Sequence, residues 1–274
     1  MLHEGVPDHL EPVLRQWIYR ALLGGGAEIV SLKVEIPLRY DYPPHDAGAR
    51  CLAQAQSYDL LRIVNAILAN GGPWPAPLRT DRRGKNTNVA GYTQLREDLI
   101  QMLAAASSAW QVSDDGSGLV RRVGETARDA LGRTVVATGN APRSGSANKQ
   151  IRAAWQALYQ LDPEPETAYR EAVKAVESAA HAVVQPNHPG ATLGTMRGEL
   201  RAQAARWMLA IPGKGGTGDI GPLLAMIDLL WDGQEWRHGS QTPARDATGA
   251  EAEMAVYLAI TLVHWFITGA VRRR

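Results

Sequence analysis

Cysteine is almost absent from this chain of 274 residues, which contains only Cys51. A small secreted domain stapled by disulfides needs pairs of cysteines, so that class of protein is excluded. The seven histidines include no pair three or four residues apart on one predicted helix, and Cys51 has no cysteine partner. Because structural zinc sites need clustered ligands of these types, we expect no metal site.

Long apolar runs are also missing. No stretch of 18 apolar residues occurs, and the first residues, Met1 to Pro7, lack the basic and then apolar pattern of a signal sequence. A hydrophobic content of 45% with a net charge of +1 excludes a disordered chain. We therefore expect a soluble cytoplasmic protein with no contact to membranes.

An excess of positive charge is missing from both halves of the chain. Residues 1–140 carry 15 basic and 15 acidic side chains, and residues 141–274 carry 14 and 13. Arginine outnumbers lysine 24 to 5, a bias that is typical of GC-rich genomes. Since nucleic-acid-binding domains usually present a broad basic surface, any RNA chemistry here must come from a local site.

The spacing of apolar residues predicts a mainly α protein, α+β overall, with a small β element in a helix-rich N-terminal region. For this region we predict helices at 7–23, 46–69, 92–110 and 125–137, a half-exposed strand at 32–38, and a strand–turn–strand unit at 110–123. The polar segment 140–146 marks the expected boundary between domains 1–140 and 141–274.

The second domain has almost entirely helical spacing. The predicted helices cover 148–161, 166–184, 192–209, 219–231 and 248–268. Thr248 and Glu251 have the spacing of a capping box at the start of the last helix, and Asp219 is a predicted N-cap.

A glycine-rich loop, Gly213 to Gly218, matches the spacing of a dinucleotide-binding turn. Such a turn follows a strand, whereas the preceding segment here has helical spacing, so a plain linker is favoured and no cofactor is expected. The alternative that stays open is a nucleotide or anion sensor, in which Lys214 and the following helix start would bind the anion. Arg245 is a further candidate phosphate ligand.

Two polar groups in the second domain suggest catalysis. Lys174 and Glu177 lie on one helix face, which is typical of a solvated surface, although Glu177 could turn inward and orient a cation. Arg237 and His238 are adjacent in a polar loop before the last helix. A guanidinium can hold a phosphate and an imidazole can move a proton near neutral pH, so this pair suits phosphodiester chemistry.

Four segments in this order resemble the abortive-infection-protein-like C-terminal domain of the HEPN superfamily, over residues 146–267. They are Tyr169–Ser178 (YREAVKAVES), Pro186–Thr195 (PNHPGATLGT), Trp236–Gly239 (WRHG) and Leu262–Phe266 (LVHWF). The N-terminal half resembles the companion region of this domain in actinobacterial and phage proteins. The resemblance implies a HEPN-like helical bundle that forms a homodimer, and a metal-independent RNase in phage defence.

In the family, the catalytic motif is an arginine and a histidine with four to six residues between them. His238 matches the histidine, but Trp231, Asp232 and Gly233 stand where the arginine is expected, and Arg237 is adjacent instead. The resulting hypothesis is a divergent RNase site with His238 as acid and base, Arg237 as phosphate ligand, and Glu177 or Lys174 as supporting residues. The alternative is a non-catalytic HEPN-like module that binds RNA or a protein partner.

Overall fold

The computed structural model describes residues 2–38, 46–73, 88–142, 144–212, 218–233 and 245–274. Within these ranges the chain forms eleven α-helices and two antiparallel sheets of two short strands each. The predicted mainly α fold with a small β element is therefore confirmed. Contacts between residues divide the chain into two compact units, Met1–Arg122 and Val123–Arg274.

The first unit contains five helices and a β-hairpin. Its elements are α1 (Glu11–Leu22), α2 (Ala27–Val34), α3 (Ala47–Ala53), a 3₁₀ turn (Ser57–Asp59), α4 (Leu60–Ala69), α5 (Asn88–Ala105), β1 (Trp110–Val112) and β2 (Leu119–Arg121). The predicted strand–turn–strand unit is the hairpin β1–β2, in which Gln111 pairs with Val120. Its turn is fixed locally, because the Asp115 carboxylate accepts hydrogen bonds from Ser117 and Gly116 has a positive φ of 74°.

The predicted strand at 32–38 is wrong, because the chain is helical through Val34. A strand would place Leu32 and Val34 on the same face. In α2 they point to different sides: Leu32 is 80% exposed, whereas Val30 and Val34 lie in the core. The predicted helix at 46–69 is also interrupted, between α3 and the 3₁₀ turn that precedes α4.

The second unit is a helical bundle with one small sheet. Its elements are α6 (Glu125–Asn140), α7 (Ala147–Tyr159), α8 (Pro165–Val184), α9 (Leu193–Ala202), a 3₁₀ turn (Ala204–Arg206), β3 (Trp207–Leu209), α10 (Gly221–Asp232), α11 (Gly249–Ile267) and β4 (Val271–Arg273). Helices α7 and α11 both pack along α8. Small residues on α8, including Ala172, Ala175 and Ala179, are fully buried, which allows the helices to approach closely.

The predicted helix at 192–209 is wrong beyond Ala202, because residues 207–209 form β3 and pair with β4 at the end of the chain. The boundary near residue 140 also differs from the division of contacts. Helix α6 packs against α7 and α11 and therefore belongs to the second unit, so the division falls after Arg122.

Helix α11 begins with the predicted capping box. Thr248 accepts a hydrogen bond from the Glu251 backbone amide, and the Glu251 carboxylate accepts one from the Thr248 amide. By length and composition alone, α11 also qualifies as a membrane-spanning helix, with a mean hydropathy of 1.3. This helix contains no unbroken apolar run of 18 residues, because polar residues such as Glu253 and His264 interrupt it. Buried core helices of soluble proteins have the same composition, and α11 supplies eight buried residues, so the fold is compatible with a soluble protein.

Candidate active site

Three of the residues predicted from sequence to form a site lie outside the described residues: Lys214, Arg237 and His238. Lys174, Glu177 and Arg245 are described. Gly233 and Arg245 are the described residues that flank the segment 234–244, in which Arg237 and His238 occur.

Glu177 turns away from solvent and contacts the start of α9. Its Oε2 accepts a hydrogen bond of 2.8 Å from the backbone amide of Leu193, the first residue of that helix. A carboxylate at this position satisfies an amide that has no partner within the helix and lies at the positive end of the helix dipole. Glu177 is therefore engaged in joining α8 to α9.

Lys174 is exposed and pairs with a neighbour on its own helix. Its Nζ lies 2.8 Å from Oε1 of Glu171, one turn earlier on α8. This contact is typical of a solvated helix face. Nothing in the contacts of Lys174 connects it to Glu177.

Arg245 forms an ion pair with Glu251 in the first turn of α11. Its Nη1 lies 2.9 Å from Oε2 of Glu251. This hydrogen bond, together with those from Thr248, lowers the pKa of Glu251 to about 2. At neutral pH the charge of Arg245 is therefore balanced by a neighbouring carboxylate.

Tyr169, on the second turn of α8, contacts the end of α10. Its Oη donates a hydrogen bond of 2.9 Å to the carbonyl of Leu230 in α10. Burial, and then the negative charges of Glu251 and Asp232, raise the pKa of Tyr169 to about 12. A Cβ atom on Gly233 would lie 2.3 Å from this oxygen, so only glycine fits where the segment leaves α10.

Gly233 and Asp246, which stand before and after the segment 234–244 in the sequence, therefore both lie near the N-terminal turns of α8. The Glu166 side chain hydrogen-bonds to that of Asp246, and this contact raises the pKa of Glu166. Glu177 is eight residues beyond Tyr169 on the same helix, or about 12 Å along its axis at 1.5 Å per residue. The structure thus joins Arg245 to the first turn of α11, whereas Glu177 contacts α9.

Ion pairs fix α10 to α9 close to the same end. Arg197 lies 2.8 Å from Asp232, and Arg201 lies 2.7 Å from Asp228. The ring of Trp231 packs against Gly194, where a Cβ atom would approach within 2.7 Å. Sequence reasoning missed these contacts and the role of Tyr169, because the partners are 27 to 61 residues apart.

The start of α10 was the second candidate for anion binding. There the Asp219 carboxylate accepts a hydrogen bond of 2.9 Å from the backbone amide of Gly221. The chain's own carboxylate thus occupies one of the amides that an anion would use at this helix start.

Comparisons of the chain with protein-family models, with curated proteins and with solved structures gave no match.

Proposed function

We propose that this protein is a cytoplasmic phage-defence protein of the abortive-infection type, whose second unit is a HEPN-like metal-independent RNase. The observation that carries the proposal is the Arg237–His238 pair in the segment that joins α10 to α11. The buried Tyr169–Leu230 contact and the Glu166–Asp246 pair support it, because they hold the end of α10 and Asp246, which precede and follow this segment in the sequence, against the first turns of α8.

The proposed chemistry needs two groups. His238 would take the proton of the RNA 2′-hydroxyl and then protonate the leaving 5′-oxygen, which is general base and acid catalysis by one imidazole. Arg237 would bind the phosphodiester and stabilise the negative charge that develops on its oxygens. No metal takes part in either step.

The charges of the described residues around Gly233 and Arg245 favour a second candidate function. Among the described residues there, Arg245 pairs with Glu251, Arg197 pairs with Asp232, and Glu166 contacts another carboxyl group. Arginines that are already paired attract phosphates weakly, so residues 234–244 would have to bind RNA by themselves. This observation favours a non-catalytic HEPN-like module that regulates defence by binding a protein partner.

RNA cleavage by the full chain and by His238→Ala tests the first proposal. In the presence of EDTA we expect the wild type to cleave total RNA, and His238→Ala to lose cleavage without a change in melting temperature. His188→Ala is the matched control, because that side chain is exposed on a different loop, and it should cleave as the wild type does. Intact RNA after incubation with the wild type would refute the RNase proposal.

Two further measurements separate the candidates. Binding of a labelled RNA at low and moderate salt should be detectable for the RNase and absent for a module that binds only protein. We also propose that the second unit forms a homodimer, as the resemblance implies, so that two His238 residues face each other. Light scattering coupled to size-exclusion chromatography should give twice the chain mass of 29.7 kDa, and a monomer at all concentrations would refute this arrangement.

A further inference from the structure

A cavity of about 460 Å³ lies between α6 and α11 in the second unit. Its volume falls within the range of small-molecule sites in proteins, roughly 300–1,000 Å³. Asp129 and Arg133 from α6 line it, together with Ile260, His264 and Trp265 from α11. His264 is 13 residues after Glu251 on α11, about 20 Å along the helix, so this cavity is distinct from the Arg245 end of the segment 234–244.

The two charged side chains of the cavity are not paired with each other. Asp129 and Arg133 are four residues apart on α6, which is the spacing at which acidic residues and arginines form ion pairs in α1 and at the start of α3. Within the described part of the chain, neither side chain has an ion pair or hydrogen bond of its own. Both charges are therefore available to a ligand.

His264 adds a ring nitrogen. Its Nδ1 atom is buried and has no hydrogen-bond partner among the described residues. An imidazole nitrogen without a partner is a further polar atom at the wall of the cavity, beside the two charged side chains.

Trp265 and Ile260 supply the apolar part of the lining. An indole is a good surface for stacking a planar ring, and nucleobases of any sequence stack on such side chains. A guanidinium binds phosphate oxygens, and a carboxylate accepts hydrogen bonds from ribose hydroxyls or exocyclic amines.

We propose that the cavity between α6 and α11 binds a nucleoside monophosphate, with the phosphate at Arg133, the base against Trp265, and a ribose or amino donor at Asp129. This proposal does not involve Lys214 and does not depend on the RNase proposal. A nucleotide bound there would contact α6 and α11 together and would stabilise the second unit.

Isothermal titration calorimetry of the full chain with the four ribonucleoside monophosphates tests the proposal. We expect at least one to bind and to raise the melting temperature by several degrees at saturation. Arg133→Gln should weaken binding roughly 10- to 100-fold, because it removes a charge-assisted hydrogen bond. Arg128→Gln makes the same charge change on an exposed residue of α6 that does not line the cavity, and it should bind as the wild type does.

Inorganic phosphate and adenosine are the comparison ligands. Both should bind more weakly than the best monophosphate, since phosphate lacks the contacts to Trp265 and Asp129 and adenosine lacks the contact to Arg133. The proposal would be overturned if no monophosphate bound at millimolar concentration, if phosphate alone bound equally well, or if Arg133→Gln bound normally. His238→Ala should retain nucleotide binding, so failure here is distinguishable from failure of the RNase proposal.

Discussion

Glu177 has different interpretations from the sequence and from the structure. The sequence suggests a supporting residue for catalysis, whereas the structure shows a contact with the start of α9. Its carboxylate binds the Leu193 amide, which the Thr192–Thr195 capping box of α9 leaves without a partner. Glu177→Ala should therefore destabilise the protein and should leave any RNA cleavage at the level of the wild type, measured at a temperature where both are folded.

The size of the effect follows from this single contact. A hydrogen bond to a charged group contributes about 1.5–3 kcal/mol, and water will replace part of it because Glu177 is half-buried, so we expect a loss of about 1–2 kcal/mol. Glu177→Gln keeps an acceptor oxygen and loses only the charge at the helix N-terminus, which contributes about 0.3–1 kcal/mol. The corresponding decreases in melting temperature are roughly 2–8 °C and 1–4 °C.

Urea denaturation followed by circular dichroism at 222 nm measures these changes. Lys174→Gln is the matched control on the same helix, because its contact with Glu171 is exposed and contributes less than about 0.5 kcal/mol. If Glu177→Gln abolished RNA cleavage and left the urea midpoint unchanged, Glu177 would be a positioning residue of the site and the capping interpretation would be wrong.

Three other predictions test particular contacts. Thr248→Ala removes the capping box of α11 and should cost about 1 kcal/mol in urea denaturation, and an unchanged midpoint would show that the box contributes nothing. Because the pKa of Glu251 is lowered to about 2, its contribution to stability is present above its unfolded pKa of about 4.3 and is lost as the pH falls from there towards 2. Arg245→Gln should raise the pKa of Glu251, which an NMR titration of that carboxyl group measures, and an unchanged pKa would contradict the ion pair. Leu32→Glu should change stability by less than about 0.5 kcal/mol, whereas Val34→Glu should be strongly destabilising, and equal effects would favour the strand over the helix.

Elements with local signals could be predicted from the sequence. The capping box of α11 needs only Thr248 and Glu251, and the β1–β2 hairpin turn needs only its own Asp115 and Gly116. The long helices α8 and α11 also follow from the spacing of their apolar residues, since one face of each must be buried.

Elements that depend on distant partners could not be predicted. Strand β3 pairs with β4 more than 60 residues later, and three residues are too few for an alternating pattern to identify a strand. At Leu32 an alternating pattern was present, but packing of Val30 and Val34 against the first unit's core favoured a helix.

The same distinction holds for the functional residues. The sequence by itself determined a mainly α chain with little net charge and placed Arg237 beside His238. Composition and the order of residues along the chain do not depend on how the chain folds. Only the tertiary structure decided that Glu177 binds the start of α9 and that Asp129 and Arg133 line a cavity with His264. The physical reason is that the partner of a polar side chain depends on which helices pack together, and that packing is set by burial across the whole unit.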